Sequence, residues 1–342
     1  MGYRLGCKES PEDNRDFLTT AIIPTDSPTE AKFSWLEYDP ITIDQGQFGT
    51  CVGCASAGIK NVHEKVEGTF IEGGYSSLFL YTMCKWLDGA FDQEGTYCRV
   101  AMKVLQKYGA LPEKYLPYST LNDIRKLPDI TEEMAEKAKP FTIKSYAMIP
   151  LEINAIKQAI KVSPVLGAVF VTSSFMFAKD GFVGIPDGYL YGGHAIKWVG
   201  WDDNLVHTFP NGRTCKGFII FKNSWGKSWG DNGLGYIAYE DINYALDDGK
   251  GMPFIYEAWS CVDNIITKKY YKVQVGAFRV KENCQKFVEK VKVAGFPTYM
   301  PPKDEDNLHR VQVGAFNDKS RAYALRDKLI NVGFKDAFVV YK

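Results

Sequence analysis

The chain has 342 residues, of which 45% are hydrophobic and 24% are charged, and its formal net charge at pH 7 is zero. This composition is typical of a soluble globular protein, and the length is sufficient for two domains. The zero net charge hides an asymmetry, because residues 268–342 hold 16 Lys and Arg against 8 Asp and Glu, a net +8 that leaves −8 for the rest. Two parts with different partners are therefore expected.

No run approaches the roughly 18 apolar residues of a membrane span, and the start, MGYRLGCKESPEDNRDF, lacks the apolar core of a signal peptide. We expect synthesis in the cytoplasm without membrane insertion. The eight cysteines are scattered, which does not favour a disulfide framework. Cys51 and Cys54 form a CxxC without a second pair at zinc-finger spacing, so a metal or redox site is the weaker alternative, and no metal or cofactor is expected.

Residues 1–40 are irregular and rich in Pro, Asp and Glu, and residues 45–57 then read QGQFGTCVGCASA. Apolar residues repeat at steps of three and four after the cysteine, at Val52, Ala55, Ile59, Val62 and Val66. They predict an amphipathic helix with one buried face and with Cys51 in its first turn. The helix dipole would stabilise a thiolate there, so we expect the pKa of Cys51 to lie below about 8.5. Gly53 and Gly58 suggest that another element packs closely on this helix.

The pattern Gln-Gly-x-x-Gly-Thr-Cys resembles the nucleophile loop of papain-like cysteine peptidases. The resemblance assigns Gln45 to an oxyanion hole, together with the backbone N–H of Cys51, and such donors contribute roughly 3–4 kcal/mol to catalysis. A buried structural cysteine in a Gly-rich turn is the alternative. The family's inhibitory propeptide is a long helical segment, for which residues 1–40 leave no room, so we expect that no proteolytic activation is needed.

Two further helices are predicted in residues 75–118. The first, over 75–89, begins after Ser76 or Ser77 as N-cap, and the second ends at Gly109. Both resemble the helical lobe of the papain family. The family's substrate-binding glycine pair falls on Gly95 and Thr96, so half of it is retained, and a plain turn is the alternative.

The chain then changes from helix to sheet. Residues 121–140 are charged and read as a surface insertion with a short helix. Residues 141–149 alternate like a strand, 153–160 are helical and 163–171 form a buried strand. This order is that of the second lobe of a papain-like fold.

His194 lies at the start of an apolar strand in GGHAIKWVGWDD, and Asn223 follows a strand in GFIIFKNSWGKSWG. A nucleophile needs a base to take its proton and a third group to orient that base, and His194 and Asn223 supply these types. Both motifs match the papain pattern in the right chain order. Trp225 would shield the Asn–His hydrogen bond from water. We include Gly193 and Trp225 with Gly95 and Thr96 as substrate-binding residues.

The C-terminal region contains an internal duplication, since YKVQVGAF (271–278) recurs as RVQVGAF (310–316) and AGF (294–296) recurs as VGF (332–334). Each unit reads as a strand, an amphipathic helix and a second strand. Two such units predict a four-stranded sheet with both helices on one face. The predicted apolar helix positions are Cys284, Phe287, Val288 and Val291 in the first unit, and Ala322, Leu325, Leu329 and Val332 in the second.

The repeat resembles the SPOR (sporulation-related repeat) domain, whose family binds peptidoglycan glycan strands on an exposed sheet face. Strand alternation places Val273 and Val275 on the helix-packed face. The opposite face would then present the glycan-binding residues Lys272, Gln274, Arg310 and Gln312. Ordinary solvated strand residues are the alternative. RNA is the other candidate ligand for a basic sheet, but the aromatic residues that stack RNA bases are missing, so no nucleic-acid partner is expected.

The sequence thus predicts an α+β chain with a two-lobed papain-like domain, a helical lobe and a β-barrel-like lobe, at residues 1–265. A small four-stranded α/β-sandwich domain of the SPOR type follows at 268–342. The predicted function is that of a cysteine endopeptidase targeted to the bacterial cell wall, which it would reach after lysis or by another route of release. The alternatives are a non-catalytic wall-binding protein on a papain-like scaffold and a peptidoglycan stem-peptide endopeptidase.

Overall fold

The chain divides into two compact units in the computed structural model, which describes residues 3–13, 16–21, 23, 28, 30–246, 251–263, 270–301, 303 and 306–341. Unit 1 comprises Met1–Glu12, Thr29–Tyr146 and Ile160–Ile265. Unit 2 comprises Asp13–Pro28, Ala147–Ala159 and Ile266–Lys342. The predicted domain boundary between 265 and 268 lies outside the described residues and stays a prediction. Two earlier segments, 13–28 and 147–159, group with the C-terminal region by their contacts.

Unit 1 contains the first α-helices of the chain. They are α1 (Cys51–Glu67), α2 (Ser77–Asp88), α3 (Cys98–Lys107), α4 (Glu132–Ala138), α5 (Ile153–Val162), which crosses the boundary between the units, and α6 (Ser173–Met176). Ser76 is the N-cap of α2, because its side chain accepts a hydrogen bond from the backbone N–H of Phe79 at 3.0 Å. Gly109, at φ +80°, follows α3 as predicted.

Three short strands come before residue 100, and the other strands follow from residue 145 onwards. The strands are β1 (Cys7–Lys8), β2 (Lys32–Ser34), β3 (Thr96–Tyr97), β4 (Ser145–Met148), β5 (Val165–Val171), β6 (Phe182–Val183), β7 (Gly192–Thr208), β8 (Thr214–Lys222), β9 (Leu234–Ala238) and β10 (Ile255–Val262). The main sheet has the order β4-β10-β5-β7-β8-β9-β6, with β2 also paired to β7. The pairs β5–β7 and β7–β8 are antiparallel, whereas the separate pair β1–β3 is parallel.

Helix α1 is buried over all of its residues from Cys51 to Glu64, so the predicted single buried face is wrong. The reason is that α1 contacts both α2 and the sheet strand β7. A Cβ on Gly53 would lie 2.6 Å from the Ser77 carbonyl oxygen, and one on Gly58 would lie 2.8 Å from Lys197 Nζ. The predicted close packing on these two glycines is therefore confirmed, and the neighbour is α2 at Gly53 and the strand of residues 192–208 at Gly58.

Unit 2 is built on the duplicated sequence. Its C-terminal elements are β11 (Tyr271–Phe278), α7 (Lys281–Val293), β12 (Thr298–Tyr299), β13 (His309–Phe316), α8 (Lys319–Asn331) and β14 (Phe338–Tyr341). Among the described residues, four strands form an antiparallel sheet in the order β12-β13-β11-β14. Both helices pack on the valine face of β11 and β13, as predicted, although Val332 is 56% exposed and lies outside this core.

The described part of the chain contains no helix that combines the length and the apolar character needed to cross a lipid bilayer.

Candidate active site

The loop that precedes α1 holds Cys51 at the helix start, where the sequence predicted it. The Tyr118 hydroxyl donates to the Gln45 carbonyl oxygen at 2.8 Å and shares a 2.5 Å hydrogen bond with the Thr50 hydroxyl. Cys51 is fully buried. Tyr118 therefore fixes both ends of the loop, a role that the sequence analysis missed.

Gln45 and Asn223 are joined through Ser224. The Ser224 hydroxyl donates to Gln45 Oε1 at 2.7 Å, and its backbone N–H donates to Asn223 Oδ1 at 2.8 Å. With Oε1 held in this way, Gln45 Nε2 donates to the carbonyl oxygens of Phe48 at 2.8 Å and Arg4 at 2.9 Å. Ser224 orients the glutamine amide, and the Asn-Ser-Trp-Gly motif carries this residue although no role was predicted for it.

His194 and Asn223 come together because they lie on neighbouring strands. His194 is near the start of β7, Asn223 directly follows β8, and the two strands pair antiparallel. His194 Nε2 and Asn223 Oδ1 are 2.8 Å apart. His194 Nδ1 is buried and has no hydrogen-bond partner within the described residues. One ring nitrogen is thus oriented by an amide, while the other is left for a reacting group.

Aromatic rings enclose this pair. The Trp225 ring stacks on His194 with ring centroids 4.7 Å apart and an interplanar angle of 26°. Phe175 meets His194 edge-on at 6.0 Å, and Trp229 meets Trp225 edge-on at 5.6 Å. The arrangement keeps water from the His194–Asn223 hydrogen bond.

The predicted lowering of the Cys51 pKa is wrong for this structure. Burial raises the pKa of the Cys51 thiol far above its usual value, and hydrogen bonds from the backbone N–H groups of Ala195 and Gly6 offset this only in part. Burial also lowers the pKa of His194 to about 4, against the smaller opposing effect of Asn223. Desolvation therefore opposes ionisation of both groups in this structure.

The burial has a specific cause, because the N-terminal segment of residues 3–8 occupies the cleft. The Tyr3 ring stacks on Trp225 with centroids 4.5 Å apart and planes within 4°, and its hydroxyl donates to the Trp225 carbonyl oxygen at 3.2 Å. The Arg4 carbonyl oxygen accepts the hydrogen bond from Gln45. The segment therefore covers the side chains predicted to be catalytic.

The predicted substrate-binding residues line the path of this segment. The Thr96 N–H donates to the Gly6 carbonyl oxygen at 2.9 Å, and Cys7 pairs with Thr96 in the β1–β3 bridge. A Cβ on Gly95 would lie 2.6 Å from the Gly6 oxygen, and one on Gly193 would lie 2.1 Å from the Cys7 oxygen. These residues are thus placed to hold an extended backbone, and in this structure the backbone is the chain's own.

The expectation that no proteolytic activation is needed stays a prediction, but this placement shows that the absence of a long helical propeptide does not leave the cleft open. The expectation counted only helical propeptides. A segment of six residues needs no helix to fill a cleft, because its backbone groups bond to the cleft walls as a strand does.

The predicted glycan-binding residues are less accessible than the sequence suggested. Gln274 and Gln312 face each other across β11 and β13, but they are only 7% and 1% exposed. Within unit 2, the 3-10 helix Thr19–Ala21 contacts β13. Lys272 and Arg310 are half-buried, and Arg310 pairs with Asp306. The expected open face is therefore covered, and the role of these four residues stays a prediction.

His194 and Asn223 are paired, and the backbone N–H of Ala195, the residue after His194, hydrogen-bonds the Cys51 sulfur. Helix α1, which begins at Cys51, contacts β7, the strand that holds His194. A thiol, a base and a group that orients the base are the side chains that a cysteine peptidase uses. The model of the papain family of cysteine proteases matches residues 34–250, and the chain belongs to this family. A SPOR domain matches residues 267–341.

Individual relatives share part of the chain. A peptidase C1-like protein of Acanthamoeba polyphaga mimivirus is 32% identical over 60% of this chain and 67% of its own length. A cathepsin B-like protein of Giardia intestinalis is 29% identical over 57% of this chain, which spans 62% of that protein's length.

Solved structures show the same fold. Xylellain, a cysteine protease from Xylella fastidiosa, aligns with a TM-score of 0.61 at 24% identity, over 76% of this chain and 96% of its own. A Carica candamarcensis cysteine protease aligns with a TM-score of 0.50 at 18% identity, over 69% of this chain and 99% of its own. The papain-like fold predicted from the sequence is confirmed.

Proposed function

We propose that the chain is a cysteine endopeptidase in which Cys51 attacks the carbonyl carbon of a peptide bond. His194 takes the thiol proton and later delivers it to the leaving amine, while Asn223 holds the ring through Nε2. The observation that carries this proposal is the buried 2.8 Å pair of His194 and Asn223, which leaves Nδ1 without another partner within the described residues. An asparagine orients the imidazolium without adding a negative charge beside the thiolate.

The oxyanion would be held by the Gln45 amide and the backbone N–H of Cys51. Gln45 Nε2 already donates to a peptide carbonyl oxygen, that of Arg4, at 2.9 Å. This carbonyl belongs to the covering segment and takes the place that we propose for the substrate's oxygen. Because Ser224 fixes the amide orientation, the donor is preorganised before a substrate arrives.

The structure is then the resting form of the enzyme. With residues 3–8 in the cleft, Cys51 and His194 are both fully buried, and burial disfavours the charged form of each. Departure of the segment would hydrate both groups and remove the desolvation that opposes a thiolate–imidazolium pair. Activity therefore requires an opening step before substrate binds.

We further propose that the SPOR domain binds peptidoglycan glycan strands and brings the peptidase to the cell wall. The family match over 267–341 and the predicted face with Lys272, Gln274, Arg310 and Gln312 support this role. Because Gln274 and Gln312 are buried in this structure, their use requires that the residues covering them move away.

A wall-binding domain favours peptidoglycan stem peptides as a second substrate class beside proteins. The full-length chain should be incubated separately with purified peptidoglycan and with an unfolded protein, and new amino groups should be counted. We expect release from at least one of them, and none with Cys51→Ala. If neither substrate gives amino groups even after the segment is removed from the cleft, the chain is a wall-binding protein on a peptidase scaffold.

A further inference from the structure

Two thiols lie side by side where the covering segment meets the body of unit 1. Cys7 is in β1 and Cys98 is the first residue of α3, and their Sγ atoms are 3.5 Å apart. Both side chains are buried, Cys98 completely. Their approach is imposed by the backbone, because β1 pairs with β3, the strand that leads directly into Cys98.

We propose that Cys7 and Cys98 form a disulfide that fastens the N-terminal segment over Cys51, so that the enzyme opens only when this bond is reduced. The sulfur atoms need to approach by about 1.5 Å to reach the S–S bond length of about 2.05 Å. Cys7 directly follows Gly6, whose N–H lies within hydrogen-bond reach of the Cys51 sulfur. A covalent bond at position 7 therefore holds the residue that covers the nucleophile.

The anchor at Cys7 is already ordered before any bond forms. Its carbonyl oxygen accepts a hydrogen bond from the Tyr256 hydroxyl at 3.2 Å and packs against Gly193. Next along the segment, Lys8 Nζ donates to Gln93 Oε1 at 2.9 Å. In the reduced chain only noncovalent contacts such as these retain the segment, whereas a disulfide adds a covalent link.

The oxidant would be a low-molecular-weight disulfide such as oxidised glutathione. In the open form the Cys7 thiolate attacks it, forms a mixed disulfide and releases one small thiol. On closing, the Cys98 sulfur attacks the Cys7 sulfur and expels the second small thiol, which takes the proton that Cys98 loses. Two protein thiols are oxidised and one small disulfide is reduced to two thiols, so atoms and electrons balance.

The carboxylate of Glu257 lies beside the two sulfurs, with donor atoms of all three residues within 4.8 Å of one another. This raises a metal ion as the alternative occupant. Structural zinc takes four ligands, and no fourth His, Cys, Asp or Glu joins this group within the described residues. Both Glu257 oxygens also already accept hydrogen bonds, from Ser10 at 3.1 Å and from Trp259 at 2.9 Å. A disulfide, by contrast, needs only two neighbouring sulfur atoms, and those of Cys7 and Cys98 are in contact.

The bond can be mapped in the full-length chain because trypsin isolates each cysteine. Cleavage after Arg4 and Lys8 gives a peptide whose one cysteine is Cys7, and cleavage after Lys85 and Arg99 gives one whose one cysteine is Cys98. The chain is reduced, desalted, treated with oxidised glutathione and digested without reductant. We expect the two peptides to be linked, and the link to disappear with dithiothreitol.

The effect of the disulfide on access to the cleft is measured as the rate at which iodoacetamide alkylates Cys51. The proposal rests on the proposed function only in taking Cys51 as the residue that is covered, and this readout needs no turnover. We expect alkylation to be at least tenfold slower in the oxidised chain than in the reduced chain. Cys98→Ser and Cys7→Ser should alkylate at the reduced rate with or without oxidant, and either variant suffices if the other fails to fold. Cys215→Ser, in β8, is the matched control and should behave like the wild type.

Four results would overturn the proposal. The first is the absence of the linked peptide after oxidation. The second is a linked chain in which Cys51 is alkylated as fast as in the reduced chain. The third is a Cys98→Ser variant that is slowed by the oxidant as much as the wild type. The fourth is a stoichiometric zinc ion in the reduced chain that is lost in both variants, which would show that the two sulfurs hold a metal instead.

Discussion

Closure of the cleft depends on the absence of a side chain at position 6. A Cβ built on Gly6 would lie 1.9 Å from the Gly49 carbonyl oxygen and 2.5 Å and 2.8 Å from the Gly49 carbonyl carbon and Cα. All three atoms are backbone, so no rotamer change relieves the contact. Gly6 does not have a positive φ, so the cost of alanine in the closed form comes from this contact and not from backbone strain. In the open segment alanine meets none of these atoms, so Gly6→Ala acts mainly on the closed form.

The free-energy cost of Gly6→Ala in the closed form follows from this overlap of the new methyl group with Gly49. The alanine methyl would need to move by more than 1 Å to reach the 3.0 Å at which Cβ contacts begin. Overpacking of this kind costs about 1–3 kcal/mol, and each 1.4 kcal/mol is tenfold in an equilibrium. We expect Gly6→Ala to raise the open fraction by about 10- to 100-fold.

The assay compares the initial rate of Cys51 alkylation, and of peptide turnover, between Gly6→Ala and the wild type under reducing conditions. Gly184→Ala is the control, because its Cβ would meet the nearest atom at 3.7 Å without a positive φ. Both rates should rise in Gly6→Ala and stay unchanged in Gly184→Ala. Equal rates in all three proteins would refute the conclusion that residues 3–8 cover the nucleophile.

Three further predictions concern the site and its surroundings. In the opened enzyme, Cys51→Ser and His194→Ala should each remove nearly all turnover, and Asn223→Ala should leave a small part of it. The double variant Cys51→Ser/His194→Ala should be little worse than either single variant, since the effects of residues that act as one catalytic unit are not additive. Because burial lowers the pKa of His194 to about 4 from the usual 6.5, the closed form binds fewer protons, and its stability should fall by up to about 3 kcal/mol as pH falls from 6.5 to 4. Hydrogen exchange in the N-terminal segment should show this as falling protection factors, in which each rate is corrected for the pH dependence of the intrinsic amide rate. Protection factors that stay constant over this range would contradict it. Asp263→Ala removes a carboxylate that lies 2.5 Å from the fully buried Lys60 Nζ, and it should lower the free energy of unfolding by about 3 kcal/mol in a denaturant titration. The control Glu136→Ala removes an exposed carboxylate and should lower it by less than about 0.5 kcal/mol. A similar small change for both would show that the buried pair is dispensable.

The fold was largely predictable because its signals are local. The helix after Cys51, the N-cap at Ser76 and the alternation in β11 and β13 each follow from residues within a few positions of one another. The motifs also placed His194 at the start of one strand and Asn223 after another, and the structure adds that these two strands are neighbours.

The covering of the cleft by residues 3–8 was not predictable from such local sequence signals. Residues 3–8 have no helical or apolar period, and their partners, such as Gln45 and Thr96, are distant in sequence. The pKa of Cys51 was predicted wrongly for the same reason, since the helix position is visible in the sequence but the burial is not. Gln274 and Gln312 likewise alternate as open-face residues, but both are buried in the structure, which strand alternation does not reveal.

The central claim is that Cys51 is the nucleophile of a peptidase whose cleft is closed by residues 3–8. The most direct measurement is to treat Gly6→Ala with a thiol-reactive, peptide-like peptidase inhibitor and to locate the adduct by mass spectrometry. The account predicts one adduct, on Cys51, that forms faster than in the wild type and is lost in the double variant Gly6→Ala/His194→Ala. An adduct on Cys54, or one on Cys51 that forms equally fast in the wild type and without His194, would contradict it.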